Sequence, residues 1–278
     1  MNKTVLITGT SSGFGASAAN FFAEKGWNVI ATMRDTGKAS GLSNSENIFV
    51  SQLDVEDTAS IHSAIDAGIK RFGKIDVLVN NAGYGLFGIF ESASREAIQN
   101  QFAVNVFGAM DVTRALLPHF RENKSGVIIN VSSGAGVTGF PMASIYNASK
   151  FALEGWSEGL RYELHSLGIK IRIIEPGGAL KTGFMNRVGG ESAGFQPIDD
   201  YMPFLGKVNQ VFEVLQTNAD EDAVDKVVKS IYDAAIDEST RLRYAPTSDI
   251  QPILKARRGT SEEEFIEFTD NLFISKIS

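Results

Sequence analysis

Tyr146 precedes Lys150 by four positions in the stretch "SIYNASKFALEG", residues 144–155. Residues four apart on a helix share a face, so the Lys150 ammonium would stand beside the Tyr146 phenol and favour its ionised form. A free tyrosine gives up its proton only near pH ~10, too high for proton transfer at neutrality. A fixed neighbouring cation is one way to bring the phenol into range as a general acid or base. An isolated pair with this spacing is common on solvated helix faces, so its weight depends on the rest of the chain.

A second feature is "TGTSSGFG", residues 8–15, which follows an apolar β-branched run and opens a segment of helical period. Gly9, Gly13 and Gly15 permit a tight turn and a close approach of backbone to a pyrophosphate, whose charge the N-terminus of the following helix stabilises. Ser11, Ser12 and Phe14 fill out that turn. The spacing is G-x-x-x-G-x-G and not G-x-G-x-x-G. At the end of the next apolar run stand Arg34 and Asp35. An acid there selects NAD, whereas a basic residue accommodates the 2'-phosphate of NADP. Asp35 serves equally well as a turn former in "DTGK". The forked guanidinium of Arg34 suits a phosphate, which favours NADP(H).

The elements that would position these groups can be read from the period of the apolar residues. "TVLIT" (4–8), "NVIATM" (28–33), "IDVLVN" (75–80), "GVIINVS" (126–132) and "IKIRIIE" (169–175) are uniformly apolar, as strands covered on both faces of a parallel sheet are. Between and after them, Ile61, Ile65, Ile69 and Phe72, and later Val224, Val227, Val228 and Ile231, keep helical spacing. The alternation predicts an α/β fold, a Rossmann-like doubly wound parallel sheet in a single domain spanning residues 1–278. The segment at about 178–217 carries Pro197, Pro203 and many bulky apolar residues, and is expected to be a substrate-binding loop region or an irregular cover over the core.

Composition narrows the classes of function. A 278-residue chain that is 43% hydrophobic and 21% charged is an ordinary globule, and a net charge of -7 argues against nucleic-acid and anionic-membrane partners. With no cysteine there is no disulfide, no thiolate nucleophile and no Cys-ligated zinc. His62, His119 and His165 lack metal-ligand spacing, so no metal is expected. The N-terminus shows no signal peptide and no stretch has the length of a membrane span, so the expected location is cytoplasmic.

Taken in order, "TGTSSGFG", "LDV" (53–55), "NNAG" (80–83), "VNVFG" (104–108), "INVSSGAG" (129–136), "YNASK" (146–150) and "EPGG" (175–178) resemble the short-chain dehydrogenase/reductase family in its compact form. The likeness runs from Thr4 to about Pro176 and more weakly to about Pro246. It implies a catalytic tetrad of Asn105, Ser133, Tyr146 and Lys150, with Ser132 structural; Ser133 stands 13 residues before Tyr146, the family's spacing. It further implies that Asp54 and Val55 border the adenine, that Asn80 steadies strand and cofactor, and that Asn81, Ala82, Gly83, Pro176, Gly177, Tyr146 and Lys150 line the dinucleotide. A family threonine lies five residues after the motif's proline, whereas Thr182 follows Pro176 by six, so Thr182 fills that role only if the loop carries an insertion.

"VIATMRD" (29–35) and "NNAGYG" (80–85) are most similar to the branch that includes hydroxysteroid and retinol dehydrogenases. The implied activity is interconversion of a small hydrophobic ketone or aldehyde and its alcohol, a carbonyl reductase. Candidate pocket walls are Leu86, Phe87, Val137, Phe140, Met142, Phe184 and Tyr201. Alternatives are a 3-oxoacyl carrier-protein reductase, which the acidic net charge disfavours, and a non-catalytic NADP-binding regulator, which the complete tetrad disfavours. An epimerase of the extended family would need a larger C-terminal part. The resemblance also implies a homodimer or homotetramer built on helices near 101–120 and 149–166. The acidic amphipathic tail "SEEEFIEFTDNLF" (261–273) is expected to cap the domain or to join an interface.

Overall fold

The computed structural model describes residues 2–178, 198–217 and 219–277. Seven parallel strands form one sheet in the order β3-β2-β1-β4-β5-β6-β7. They are β1 (Thr4–Thr8), β2 (Asn28–Met33), β3 (Ile48–Gln52), β4 (Val77–Asn80), β5 (Gly126–Val131), β6 (Ile169–Ile174) and the short β7 (Arg243–Tyr244). The strand order reverses direction between β1 and β4, and this is where a doubly wound sheet opens a crevice at the carboxyl ends of its strands.

Alternation along β1 shows why the strands read as uniformly apolar. Val5 and Ile7 face one helical layer, α1 (Gly13–Glu24) and α7 (Ala223–Ile236), through Phe22, Val227 and Ile231. Leu6, between them, faces the other layer, made of α2 (Thr58–Phe72), α4 (Ala109–Asn123) and α5 (Ser144–Leu164), through Ile61, Leu116 and Leu160. Both faces are covered, as the run of apolar residues requires. Among the described residues no helix is long and apolar enough to cross a membrane.

Two expected elements differ. The helix read over about 101–120 is divided into α3 (Arg95–Phe102), a π-helical turn (Ala103–Gly108) and α4. At Gly108 a Cβ would lie 2.7 Å from Val55 Cβ, so the helix meets the β3–α2 connection with no side chain between, and Asn105 is turned inward. Within the segment at about 178–217, residues 202–217 are not irregular but form α6 (Met202–Thr217). Pro203 stands in its first turn, where a missing N–H costs nothing, and Val208 and Val211 are buried at helical spacing. The remainder of the segment, including Phe184, lies outside the described residues.

The tail packs on the body. Helix α8 (Gln251–Gly259) and helix α9 (Glu262–Thr269) bury Ile253, Leu254 and Phe265 in one cluster with Ile250, and Phe273 meets Phe140 edge-on at 5.7 Å. Ser261 and Glu264 form a capping box, which gives the acidic run a helical purpose at the positive end of α9.

The α1 side of the core is held by Phe22, fully buried and edge-on to Trp27 at 5.1 Å and to Tyr232 at 5.2 Å. Phe22→Ala is expected to cost about 3–5 kcal/mol in urea unfolding. A loss below about 1 kcal/mol would mean that the surrounding rings close the gap and that this cluster does not set the position of α1.

Candidate active site

A cavity of about 690 Å³ opens over the carboxyl ends of β1, β2, β4, β5 and β6. One end is a backbone cradle. Gly9 and Gly13 adopt left-handed φ of 72° and 58°, and a Cβ at Gly9 would fall 2.9 Å from Ala82 Cα. Asn81 spans the switch point: its Nδ2 donates to the carbonyls of Thr8 at 2.9 Å and Gly9 at 3.1 Å, while Thr8 Oγ1 accepts from the N–H groups of Asn81 and Ala82. Ser12 makes no side-chain cap and the first turn of α1 holds no acid, so the positive helix end is left for an anion. Gly9, Ser11, Ser12, Gly13 and Phe14 all line the cavity. Gly15 does not; it is buried, where a Cβ would press on Asn81 Nδ2 at 2.5 Å.

At the outer rim stand exposed Arg34, Asp35 and Lys38. Asp35 is engaged locally, its Oδ1 accepting from the Gly37 N–H at 3.0 Å and its carboxylate 3.9 Å from Lys38. Asp54, Val55, Ala82, Gly83, Pro176 and Gly177 line the cavity as expected, whereas Thr182 lies outside the described residues. The cradle, the open helix end and the basic rim fit a nicotinamide dinucleotide.

At the inner end Ser133, Tyr146 and Lys150 come together. Ser133 Oγ accepts from the Ala135 N–H at 3.1 Å, which fixes the hydroxyl at the start of the turn. Lys150 is buried; its Nζ donates to the Val131 carbonyl at 2.9 Å and lies 5.8 Å from the centroid of the Tyr146 ring. Burial pushes the Tyr146 phenol up to about 12, with a hydrogen bond to Ser133 pulling the other way. This runs opposite to the acidified phenol expected from the spacing: burial is the leading cause, and it raises the phenol, which favours the protonated form at neutrality. Burial also brings Lys150 down to about 8, opposed by the charge of Glu154.

Asn105 stands behind this group. Its Oδ1 accepts from the Tyr84 N–H at 3.0 Å, and its Nδ2 donates to the Tyr84 carbonyl at 2.9 Å and to Ser149 Oγ at 3.2 Å. Ser149 in turn donates to the Tyr146 carbonyl at 2.7 Å. Asn105 therefore ties the loop after β4 to the catalytic helix and does not itself border the cavity. Asn80 is likewise structural, its Nδ2 donating to Thr113 Oγ1 and Asn130 Oδ1.

The apolar side of the cavity is made by Phe87, Phe140, Phe212, Ile250 and Ile253. Phe87 lies over Tyr146 at 5.5 Å. Of the other expected wall residues, Leu86 is buried, Val137 packs on the C-terminal cluster, and Met142 and Tyr201 border a separate groove beside Phe204. The sequence reading missed Lys38, Ile250, Ile253 and Asp249, whose Oδ2 accepts from the Gly178 N–H at 2.6 Å. Lys38 alone carried a signal, as a second cation close to Arg34.

A family model described as short chain dehydrogenase matches residues 3–191. An uncharacterized oxidoreductase of Schizosaccharomyces pombe is 42% identical over 218 residues, covering 78% of this chain and 89% of its own. Retinol dehydrogenase 8 of Homo sapiens is 42% identical over 187 residues, covering 63% and 58%. Among solved structures, a short-chain dehydrogenase from Streptomyces avermitilis superposes with a TM-score of 0.81 at 33% identity, over 98% and 97% of the chains. A Burkholderia phymatum short chain dehydrogenase/reductase in complex with NAD gives 0.77 at 26% identity, over 96% and 95%, and ElxO with NADP bound gives 0.71 at 28%, over 88% and 97%. A glycine cradle at the strand switch, a serine, tyrosine and lysine at the floor of the same cavity, and these matches lead to one assignment: the chain belongs to the short-chain dehydrogenase/reductase family of oxidoreductases.

Proposed function

We propose that the protein is an NADP(H)-dependent carbonyl reductase and alcohol dehydrogenase acting on a bulky hydrophobic ketone or aldehyde and its alcohol. The observation that carries this reading is the Ser133, Tyr146 and Lys150 group on the floor of a cavity whose other wall is aromatic and aliphatic. A nicotinamide bound in the cradle supplies the hydride. The chain supplies position and the proton. Ser133 holds the substrate oxygen and Tyr146, kept protonated by burial, donates its phenolic proton to that oxygen as reduction proceeds. In the reverse direction the same phenolate takes the proton from the alcohol. Lys150 stabilises the phenolate that each turnover creates, and Asn105 keeps the loop after β4 and helix α5 in register.

The preference for NADP(H) is supported by Arg34 and Lys38 at the rim, and by the engagement of Asp35 within its own turn, which leaves that carboxylate a poor partner for a ribose hydroxyl. The relation to retinol dehydrogenase 8 and the wall of Phe87, Phe140 and Phe212 support a large apolar substrate. Exposed Phe107 and Phe151, on the π-turn before α4 and on α5, support a homodimer or homotetramer through those helices.

Following NADPH consumption with a panel of bulky ketones, Tyr146→Phe is expected to lower kcat by about 10²–10⁴-fold while NADPH still binds. Turnover undiminished in that variant would remove Tyr146 from the reaction. Arg34→Ala is expected to raise KM for NADPH by about tenfold or more and to leave KM for NADH nearly unchanged. An equal effect on both cofactors, or a wild type that prefers NADH, would overturn the NADP(H) assignment. Sedimentation of the wild type should give a dimer or tetramer, and Phe151→Glu should dissociate it; a monomeric wild type contradicts the assembly proposed.

A further inference from the structure

One helical turn beyond Lys150 on α5 stands Glu154, which no step above uses. It is 5% exposed, and its neighbourhood is close-packed: a Cβ at Gly136 would lie 2.9 Å from Glu154 Cγ, 2.7 Å from Ser132 Oγ and 3.1 Å from the Lys150 carbonyl. Glu154 Oε2 accepts from Arg243 Nε at 3.0 Å. The same Nε lies 3.1 Å from Glu175 Oε1, which Arg258 of α8 also grips. Glu175 is fully buried. Arg243 reaches outward to the exposed Glu158 at 3.1 Å. An ionic chain with two buried carboxylates thus runs from the interior of α5 through β7 and the end of β6 to the exposed Arg258 of α8.

As an anchor for the tail this arrangement is a poor one. Glu175 Oε2 is shut away from solvent with no hydrogen-bond partner among the described residues. Buried, partly satisfied charge is worse for stability than apolar packing of the same shape. Its position, four residues from Lys150 and on the same side of the helix, suggests another use. We propose that Glu154 is a positioning residue for the reaction: its carboxylate keeps the buried Lys150 ammonium charged and so sets the alkaline limit of activity. This rests on the role given to Lys150 above.

The physical case has two parts. Desolvation alone drives the ammonium toward neutrality, and Glu154 is the anion that opposes it. Glu154 is itself raised to about 7, by burial first and then by Glu175, while Ser132 and Arg243 pull it back. Its charge therefore develops as pH rises through about 7, before Lys150 begins to lose its proton near 8. The charged groups gathered about the pair are Arg243 from β7, Glu175 from the end of β6, Arg258 from α8 and Glu158 from α5, with neutral Tyr146 on the other side of Lys150.

The test is the pH dependence of kcat for NADPH-dependent ketone reduction in wild type, Glu154→Gln and Glu154→Asp, with NADPH fluorescence on binding followed over the same range. Wild-type activity should fall as pH rises through about 8. Glu154→Gln should move that limb to lower pH by about one unit and leave the rate below neutrality nearly unchanged. Glu154→Asp, which keeps the charge one methylene further back, should move it by less. The pH dependence of NADPH binding should shift in parallel, since Lys150 borders the same cavity. A limb that stays in place while the melting temperature drops would make Glu154 a structural anchor only. If Glu154→Gln does not fold, an unmoved limb in Glu154→Asp with undiminished NADPH binding leads to the same conclusion. Lys150→Met separates the two readings: activity retained in that variant overturns the role of Lys150 itself, whereas its loss beside an unmoved Glu154→Gln limb overturns only the inference about Glu154.

Discussion

Burying a lysine is the constraint around which this molecule is organised. The Lys150 ammonium sits at the carboxyl end of β5 and donates to the Val131 carbonyl at 2.9 Å. A cation taken out of water loses more than a single neutral hydrogen bond returns. The remainder is met by the surroundings. Tyr146 presents its ring 5.8 Å away, and the charge of Glu154, itself held by Arg243, opposes the loss. The ionic chain also ties α8 to the body and so helps to set Ile250 and Ile253 against the cavity. Charge placement and substrate wall are in this sense one piece of construction.

The same economy appears at the cofactor end. The switch point between β1 and β4 opens a gap that any doubly wound sheet has, but Asn81 decides its shape by stitching the end of β1 to the loop after β4. Glycine at 9 and 15 is required because backbone from three segments meets there with no room for a Cβ. Asn105 performs the matching task on the other side, spending both ends of its amide on the backbone of Tyr84. The π-turn that carries Asn105 is the local distortion that turns this side chain inward.

Five of the seven strands and the glycine turn were legible in the sequence because their causes are local: runs covered on both faces read as continuous apolar stretches, and tight turns demand glycine; the edge strands β3, only partly buried, and β7, two residues long, carry no such run. The pairing of Tyr146 with Lys150 was legible for the same reason, four residues on one helix. Its consequence was not, because spacing shows a neighbour and says nothing of burial, and burial reverses the direction in which the phenol shifts. Helix α6 was hidden by Pro203 and by aromatic residues that suggest an irregular loop, although proline is harmless in a first turn. Arg243, Glu175, Arg258 and Asp249 carry no signal in their own neighbourhoods. They acquire meaning only where the end of β6, β7 and the tail converge.

The central claim is that hydride passes to a hydrophobic carbonyl in the cavity above Tyr146 while that residue delivers the proton. The most direct measurement uses NADPH deuterated at the reactive nicotinamide carbon with a bulky ketone, and mass spectrometry of the alcohol formed. Deuterium on the carbinol carbon, formed by the wild type and not by Tyr146→Phe, is the result this account predicts. Cofactor bound without deuterium ever reaching a carbonyl carbon, or label transferred equally well by the variant, would contradict it.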